Sequence, residues 1–178
     1  MTFKLLPGLP GKGPLPEQFT YAEKRTHSEG TVVSFSDGTS SWVGNFQPAI
    51  GTHSGVVAHP NGEHVIVISG GEGYIVDPAS RKLVEIFGGA INGLWVIDGD
   101  LVVFDDSGVR LSALDSTGWR WQTSRISWDG FSDIHVARDS ITGHAWNAIE
   151  QRWEPFTVNS RDGTVTGAAY VEFGDRVI

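Results

Sequence analysis

The runs Val65-Ile66-Val67-Ile68 and Leu101-Val102-Val103-Phe104 hold the strongest fold signal in this sequence. Each run is apolar at every position and is followed within a few residues by Gly-rich or Asp-rich turn chemistry. Because successive side chains of a strand point to opposite faces, an unbroken apolar run predicts a strand that is buried on both faces. Parallel sheets usually supply that environment, but the sequence lacks the crossover helices that they need. We therefore expect small antiparallel sheets that are each covered by neighbours, as in a β-propeller.

The composition is that of a folded, aromatic-rich chain with many turns. Of the 178 residues, 39% are hydrophobic, and seven are Trp and nine are Phe. Charged residues make up 19% of the chain, which is below the roughly 25% of a typical globular domain. The chain also has 23 glycines. This combination is typical of short strands joined by tight turns, which need a residue with positive φ.

Charge and cysteine content exclude several classes of function. The formal net charge is −8, so nucleic acid and anionic membrane surfaces are not expected as partners, and a basic protein partner would be favoured. The alternative is that this modest negative charge is only the one that ordinary soluble bacterial proteins carry. The chain has no cysteine, which excludes disulfides, thiolate chemistry and cysteine-based zinc sites. We find no apolar stretch that predicts a signal peptide or a transmembrane span, and we expect a soluble, cytoplasmic protein.

The N-terminal segment differs from the rest of the chain. Residues 7–16 hold half of the eight prolines, so residues 1–16 are predicted to form an extended arm or linker. Residues 17–178 are then expected to form a single all-β domain. Residues 17–26, which follow Pro16, are the one helix candidate, with room for two turns.

From Thr31 onward, the chain alternates strand-like and turn-like segments at a regular spacing. The turn glycines Gly62 and Gly99 are 37 residues apart, and later turns that begin at Asp77, Asp115 and Asn147 follow one another by 38 and 32 residues. A unit of three or four strands and about 40 residues is the period of a propeller blade. Three such units, with the hairpin that begins at Thr31, predict four or five blades.

Closure of the propeller could come from residues 164–171 pairing with a strand near the N-terminus. A β-sandwich or a twisted barrel of meandering hairpins is the alternative fold, because it also has a turn every 8 to 12 residues.

Part of the chain resembles a known pattern. The stretch from Trp121 to Val158, which contains Ser127-Trp128-Asp129-Gly130-Phe131 and Thr142-Gly143-His144-Ala145-Trp146, resembles a pattern of small uncharacterised bacterial proteins with propeller-like β-repeats. Gly70-Gly71-Glu72-Gly73-Tyr74 belongs to the same pattern. The resemblance covers about half of the chain. It implies a bacterial origin and transfers no catalytic residue.

No standard catalytic or cofactor motif is present. Gly71-Glu72-Gly73 precedes a strand and lacks a third glycine, so a dinucleotide site is not predicted. In Gly51-Thr52-His53-Ser54-Gly55 the serine is not central and no helix follows, so a nucleophile elbow is not predicted either. We expect no cofactor.

Two groups of residues could bind a metal. His59 and His64 flank the turn that contains Glu63, and a tight hairpin would bring them together as zinc ligands. The alternative is that they are ordinary polar residues near a turn. Four aspartates lie within nine residues, but the strand 101–104 separates them into two pairs by about 13 Å, which favours a role in turns over a cation site. These are Asp98, Asp100, Asp105 and Asp106.

One set of polar residues could support acid–base chemistry. Asp133 and His135 are two residues apart in a predicted strand, and His144 lies in the next strand, with Asp129 upstream. If neighbouring strands bring them together beside Trp146, they would form a site for a sugar or another small molecule. The alternative is a set of histidines that are hydrogen-bonded to neighbouring carboxylates.

Five tryptophans are candidates for partner binding, because they recur near turns and strand ends, where aromatic side chains anchor interfaces. They are Trp42, Trp95, Trp128, Trp146 and Trp153. Trp119 and Trp121 share one face of a strand and are expected in the core.

The sequence favours a non-catalytic protein-binding module, for example an inhibitor or an immunity-type protein that acts on a basic partner. The alternative is a hydrolase or lyase that acts on a carbohydrate or a small ester. A structural component of a larger assembly, tethered by the proline-rich arm, is a third interpretation. Catalysis requires polar groups that converge on a pocket, whereas partner binding requires an exposed apolar patch.

Overall fold

The computed structural model describes residues 1–21 and 29–170, in which all regular elements are β-strands. The chain divides into two compact units, Met1–Asn92 and Gly93–Ile178. Across the described residues, no helical segment has the length and apolar character of a membrane span.

The first unit contains two four-stranded sheets. In the first sheet the strand order is β1-β3-β4-β2, with β2 parallel to β4. Its strands are β1 (Thr2–Leu6), β2 (Glu17–Phe19), β3 (Thr31–Ser36) and β4 (Ser41–Phe46). The second sheet is a consecutive antiparallel meander. Its strands are β5 (Gly55–Ala58), β6 (Val65–Ser69), β7 (Glu72–Asp77) and β8 (Lys82–Gly88).

Two further meanders of four strands complete the described fold. The third sheet contains β9 (Ile91–Ile97), β10 (Leu101–Asp106), β11 (Arg110–Asp115) and β12 (Gly118–Gln122). The fourth sheet contains β13 (Phe131–Val136), β14 (Ser140–Asn147), β15 (Arg152–Asn159) and β16 (Val165–Gly167). A four-stranded antiparallel sheet is the unit of a propeller blade. The prediction of an all-β fold of small, propeller-like sheets is thus confirmed, with four sheets in the described residues.

The two apolar runs form buried central strands, as predicted. All five residues of β6 are buried, and Val67 is fully inaccessible. In β10, Leu101 is half-buried and the next three residues are buried, with Val103 also fully inaccessible. The core of the first unit packs Val65 and Val67 against side chains of the first sheet such as Phe35. The core of the second unit joins the third and fourth sheets in the same way.

The N-terminal region is more ordered than the sequence predicts. Residues 2–6 belong to the segment that is predicted to be an extended arm or linker, but they form β1 and pair with β3 from Thr2 opposite Ser36 to Leu6 opposite Val32. Residues 7–16 contain no strand and connect β1 to β2.

The helix predicted for residues 17–26 is wrong over its first three residues. They form β2, because Phe19 is buried with its ring stacked at 4.6 Å on the ring of Phe46. Residues 22–26 of the predicted helix lie outside the described residues.

The four-stranded unit does repeat along the chain, but, contrary to what the spacing predicts, the turn at Asn147 does not correspond to the turns at Asp77 and Asp115. The turns at Asp77 and Asp115 join the third and fourth strands of their sheets, whereas the turn at Asn147 joins the second and third strands of the fourth sheet. The matching turn there is the one after Asn159, whose N–H donates to Thr164 O at 2.8 Å. The pairing expected for residues 164–171 also differs, because β16 pairs with β15 of its own sheet. Residue 171 lies outside the described part of the chain.

Candidate functional site

Three of the five candidate tryptophans converge at one end of the fourth sheet. Trp146 of β14 lies directly opposite Trp153 of β15, and their rings meet edge to face with centroids 5.3 Å apart. Trp128 precedes β13, and its N–H donates to Trp146 O at 3.0 Å. We call Trp128, Trp146 and Trp153 the aromatic end.

A buried serine fixes the backbone of this aromatic end. The hydroxyl of Ser127 donates to Gly130 O at 2.6 Å and accepts the N–H of Trp146 at 3.0 Å. Ser127 is fully inaccessible to solvent. The segment before β13 is therefore tied directly to β14.

An arginine and a tyrosine hold the ring of Trp128. The guanidinium of Arg125 lies 5.6 Å from the Trp128 ring centroid and 4.7 Å from that of Tyr170. The rings of Trp128 and Tyr170 are themselves 4.9 Å apart. Arg125 also donates to Ser127 O at 2.9 Å and to Trp128 O at 2.6 Å. These cation–π contacts and hydrogen bonds pre-organise the surface.

Part of the aromatic end is open to solvent. Trp153 is 45% exposed, and Ile149 in the adjacent β14–β15 turn is 52% exposed. Trp128 and Trp146 are half-buried beside them. Arg152 and Glu154 form an ion pair at 2.9 Å on either side of Trp153 in the sequence. An exposed, rigid aromatic ring with charged neighbours has the composition of a protein-interface anchor.

The other two candidate tryptophans contribute to packing. Trp42 is 6% exposed, its ring stacks at 4.2 Å on Phe35, and its Nε1–H donates to Pro78 O at 3.1 Å. Its ring belongs to the core of the first unit, and a role of Trp42 in partner binding stays a prediction. Trp95 is half-buried, and its ring packs on the core of the second unit and over Gly93, where a side chain would clash with it. Trp119, which was expected in the core, is 45% exposed.

Of the four residues proposed for acid–base chemistry, only Asp133 and His144 lie close together. Asp133 Oδ2 lies 3.4 Å from His144 Nδ1, and the two side chains are 70% and 44% exposed. A bulge in β13 produces this contact, because Asp133 has a φ of 52° and the register with β14 shifts there. Asp129 and His135 are exposed, and no hydrogen bond or ion pair within the described residues joins them to this pair. The structure therefore provides one carboxylate–imidazole contact on an open surface.

The candidate metal ligands His59 and His64 do approach each other, with ring centroids 5.7 Å apart. Asn61 lies between them: its N–H contacts His59 Nδ1 at 3.1 Å, and its side-chain amide contacts His64 Nδ1 at 3.1 Å. Glu63 is exposed and donates its N–H to the Asn61 side chain. Among the described residues, no group of three or more metal-ligating side chains is close enough to hold an ion. The sequence places Asn61 in this turn but does not show that its side chain accepts the N–H groups of Glu63 and His64.

A pocket of about 470 Å³ in the second unit was not predicted from the sequence. It lies where the β9–β10, β11–β12, β13–β14 and β15–β16 turns meet, at the opposite end of the fourth sheet from the β14–β15 turn. Seven charged side chains line it, namely Asp98, Asp100, Asp115, Arg120, Arg138, Asp139 and Arg161. We call it the charged pocket. The sequence favours a role in turns for Asp98 and Asp100, because a pattern within one hairpin does not show what the turns of the next sheet contribute.

The four aspartates of the 98–106 region are separated as predicted. Asp98 and Asp100 lie in the turn before β10, and Asp105 and Asp106 end that strand. Asp105 is buried and accepts the N–H of Gly108 at 2.8 Å. Burial raises its pKa to about 6. In the charged pocket, by contrast, hydrogen bonds from Thr117 and Arg120 lower the pKa of Asp115 to about 2.

No protein-family model and no curated protein sequence matches the chain. Solved structures with a similar arrangement include the Cps50 (Swd1) β-propeller domain of Myceliophteria thermophila, at 9% identity and a TM-score of 0.48, over 81% of this chain and 55% of that one. BamB from Moraxella catarrhalis is similar at 11% identity and a TM-score of 0.46, over 82% of this chain and 50% of that one. A eukaryotic initiation factor is similar at 8% identity and a TM-score of 0.44, over 79% of this chain and 40% of that one. The chain thus spans about half or less of the length of these structures.

Proposed function

We propose that the protein is a non-catalytic binding module whose aromatic end docks a protein partner. The exposed ring of Trp153, packed against Trp146, is the observation that carries this proposal. Hot spots of protein interfaces are enriched in tryptophan, and they are strongest where the ring is already held in its bound position. Ile149 extends the apolar surface beside the ring.

The chemistry of the proposed partner follows from charge. The chain carries a formal net charge of −8, so association with a basic protein is favoured over association with an acidic one. An inhibitor or immunity-type protein that neutralises a basic partner is the specific role that we propose. This role rests on the charge and the aromatic end together.

The experiment compares two equally exposed tryptophans. Immobilised wild-type protein, Trp153→Ala and Trp119→Ala are used to capture proteins from an extract of the source cells, since Trp119 and Trp153 are both 45% exposed. We expect one basic protein to be retained by the wild type and by Trp119→Ala, and its affinity for Trp153→Ala to fall about thirtyfold, as for the loss of a hot spot of about 2 kcal/mol. Equal retention by all three proteins would show that the aromatic end is not the docking surface.

A hydrolase or lyase that acts on a carbohydrate or a small ester is the second candidate function. The observation behind it is that Asp133 Oδ2 lies 3.4 Å from His144 Nδ1, an atom that forms no hydrogen bond within the described residues. A small shift of either side chain would let the carboxylate orient the imidazole for general base catalysis. The test measures turnover of glycoside or ester substrates by the wild type and by Asp133→Asn and His144→Ala. Turnover that both variants lose without a change in melting temperature would replace the binding-module proposal with this one.

A further inference from the structure

The charged pocket has two walls of different charge. The third sheet contributes Asp98, Asp100 and the pair Asp115 and Arg120, whereas the fourth sheet contributes Arg138 and the pair Asp139 and Arg161. The first wall therefore carries a formal charge of −2 and the second a formal charge of +1. Because the two walls come from different sheets, the pocket has a negative and a positive side.

Two of the ion pairs lie within single walls. Arg120 contacts Asp115 at 2.7 Å in the first wall, and Arg161 contacts Asp139 at 2.9 Å in the second. Arg120 Nε also donates to Arg161 O at 2.8 Å, which joins the walls. These contacts neutralise four of the seven charges and connect the two walls of the pocket.

Of the remaining three charges, two form an ion pair that spans the walls. Arg138 Nε and Asp98 Oδ2 face each other across the walls at 3.5 Å, with side chains 81% and 57% exposed. A water-exposed pair at this distance contributes little to stability, so it can open at low cost. Within the described residues, Asp100 forms no ion pair.

We propose that the charged pocket binds a small zwitterionic molecule of the amino acid or dipeptide class. The ligand's ammonium group contacts Asp98 and Asp100, and its carboxylate contacts Arg138, which a guanidinium can bind through two hydrogen bonds. Ile97 and Leu101 supply an apolar surface for a side chain. The volume of about 470 Å³ is within the range of about 300–1,000 Å³ that is usual for small-molecule sites. The proposal goes beyond partner docking, since the aromatic end lies at the other end of the fourth sheet.

The first test asks whether both charges of the ligand are needed. The full chain is titrated with alanyl-alanine, with its N-acetylated form and with its C-terminal amide, and binding is followed by calorimetry. We expect the free dipeptide to bind and each blocked form to bind up to about fivefold more weakly, as for the loss of one exposed ion pair. Equal binding of the free dipeptide and either blocked form, or no binding of the free dipeptide at about 10 mM, would overturn the proposal.

The second test locates the site. Asp98→Asn and Arg138→Gln are each expected to weaken binding of alanyl-alanine about fivefold. Arg152→Gln is the matched control, because Arg152 is an exposed arginine in an ion pair that lies next to the aromatic end. Binding that is unchanged in Asp98→Asn and Arg138→Gln, or that falls equally in the control, would contradict the assignment. Retention of the protein partner by the two pocket variants would separate this result from the proposed function.

Discussion

Asp105 shows how one buried carboxylate couples stability to pH. The side chain is 7% exposed, and within the described residues it accepts one hydrogen bond, from the N–H of Gly108. Burial raises its pKa from 3.8 to about 6, so the folded protein holds this proton more tightly than the unfolded chain does. The contribution of the protonated carboxyl to the free energy of unfolding is therefore complete below about pH 4, and it is lost as the pH rises through about 6.

We expect the stability of Asp105→Asn not to fall as the pH rises through this range. The asparagine side chain keeps an oxygen that can accept the Gly108 N–H, but it has no charge to bury. At pH 7 the variant should have a free energy of unfolding higher than that of the wild type by up to about 3 kcal/mol, with little difference at pH 4. Urea denaturation at both pH values measures the free energy of unfolding of the variant and the wild type. Asp129→Asn, in an exposed position, is the control and should leave the free energy of unfolding unchanged.

Val67 and Val103 should not tolerate a charge. Both are fully inaccessible at the centre of strands that are buried on both faces, and an unpaired buried carboxylate costs several kcal/mol. We expect Val67→Asp and Val103→Asp to lack a cooperative thermal transition in circular dichroism. Val84→Asp, at a position that is 51% exposed in β8, should melt like the wild type. A cooperative transition in either core variant would contradict the buried-strand assignment.

Among the elements, the segment before β13 depends on Ser127. Its hydroxyl contacts Gly130 O and the N–H of Trp146, and removal of a buried hydrogen-bonding group costs about 1–3 kcal/mol. We expect Ser127→Ala to lower the free energy of unfolding by this amount and to speed amide hydrogen exchange at Trp146. Ser124→Ala, at an exposed position three residues earlier, should change neither quantity.

Local chemistry explains which elements were predictable from the sequence. Apolar runs and turn residues identified β6, β10 and most hairpins, because the residues that close these hairpins lie within their own turns. Asp77, for example, accepts the N–H groups of Ala79 and Ser80. The strand β2 was missed because its stability comes from a parallel pairing with β4, which is distant in sequence.

The candidate site was predictable only in part, for the same reason. Trp42 and Trp153 both lie next to a turn, yet one is 6% and the other 45% exposed. Packing between sheets decides this difference, and no single strand pattern contains it. The charged pocket was missed because it is formed by turns from two sheets. The link between the Trp128 segment and β14 depends on Ser127, whose role the sequence pattern does not show.

At the scale of the whole molecule, net charge and the aromatic end are expected to act on different steps of association. A net charge of −8 attracts a basic partner over distances up to the Debye length, which is about 10 Å at 0.1 M salt. This attraction raises the association rate. The contact that we propose at Trp153 would form only after encounter, so we expect it to slow dissociation instead.

We therefore expect the affinity for a basic partner to fall as salt rises from about 0.02 M to about 0.15 M, mainly through a lower association rate. Surface plasmon resonance at several salt concentrations measures both rates. In Trp153→Ala the dissociation rate should rise at every salt concentration, while the salt dependence of the association rate stays that of the wild type. A salt-independent association rate in the wild type would show that the acidic surface does not guide binding. A changed salt dependence in Trp153→Ala would mean that the two contributions are not separate.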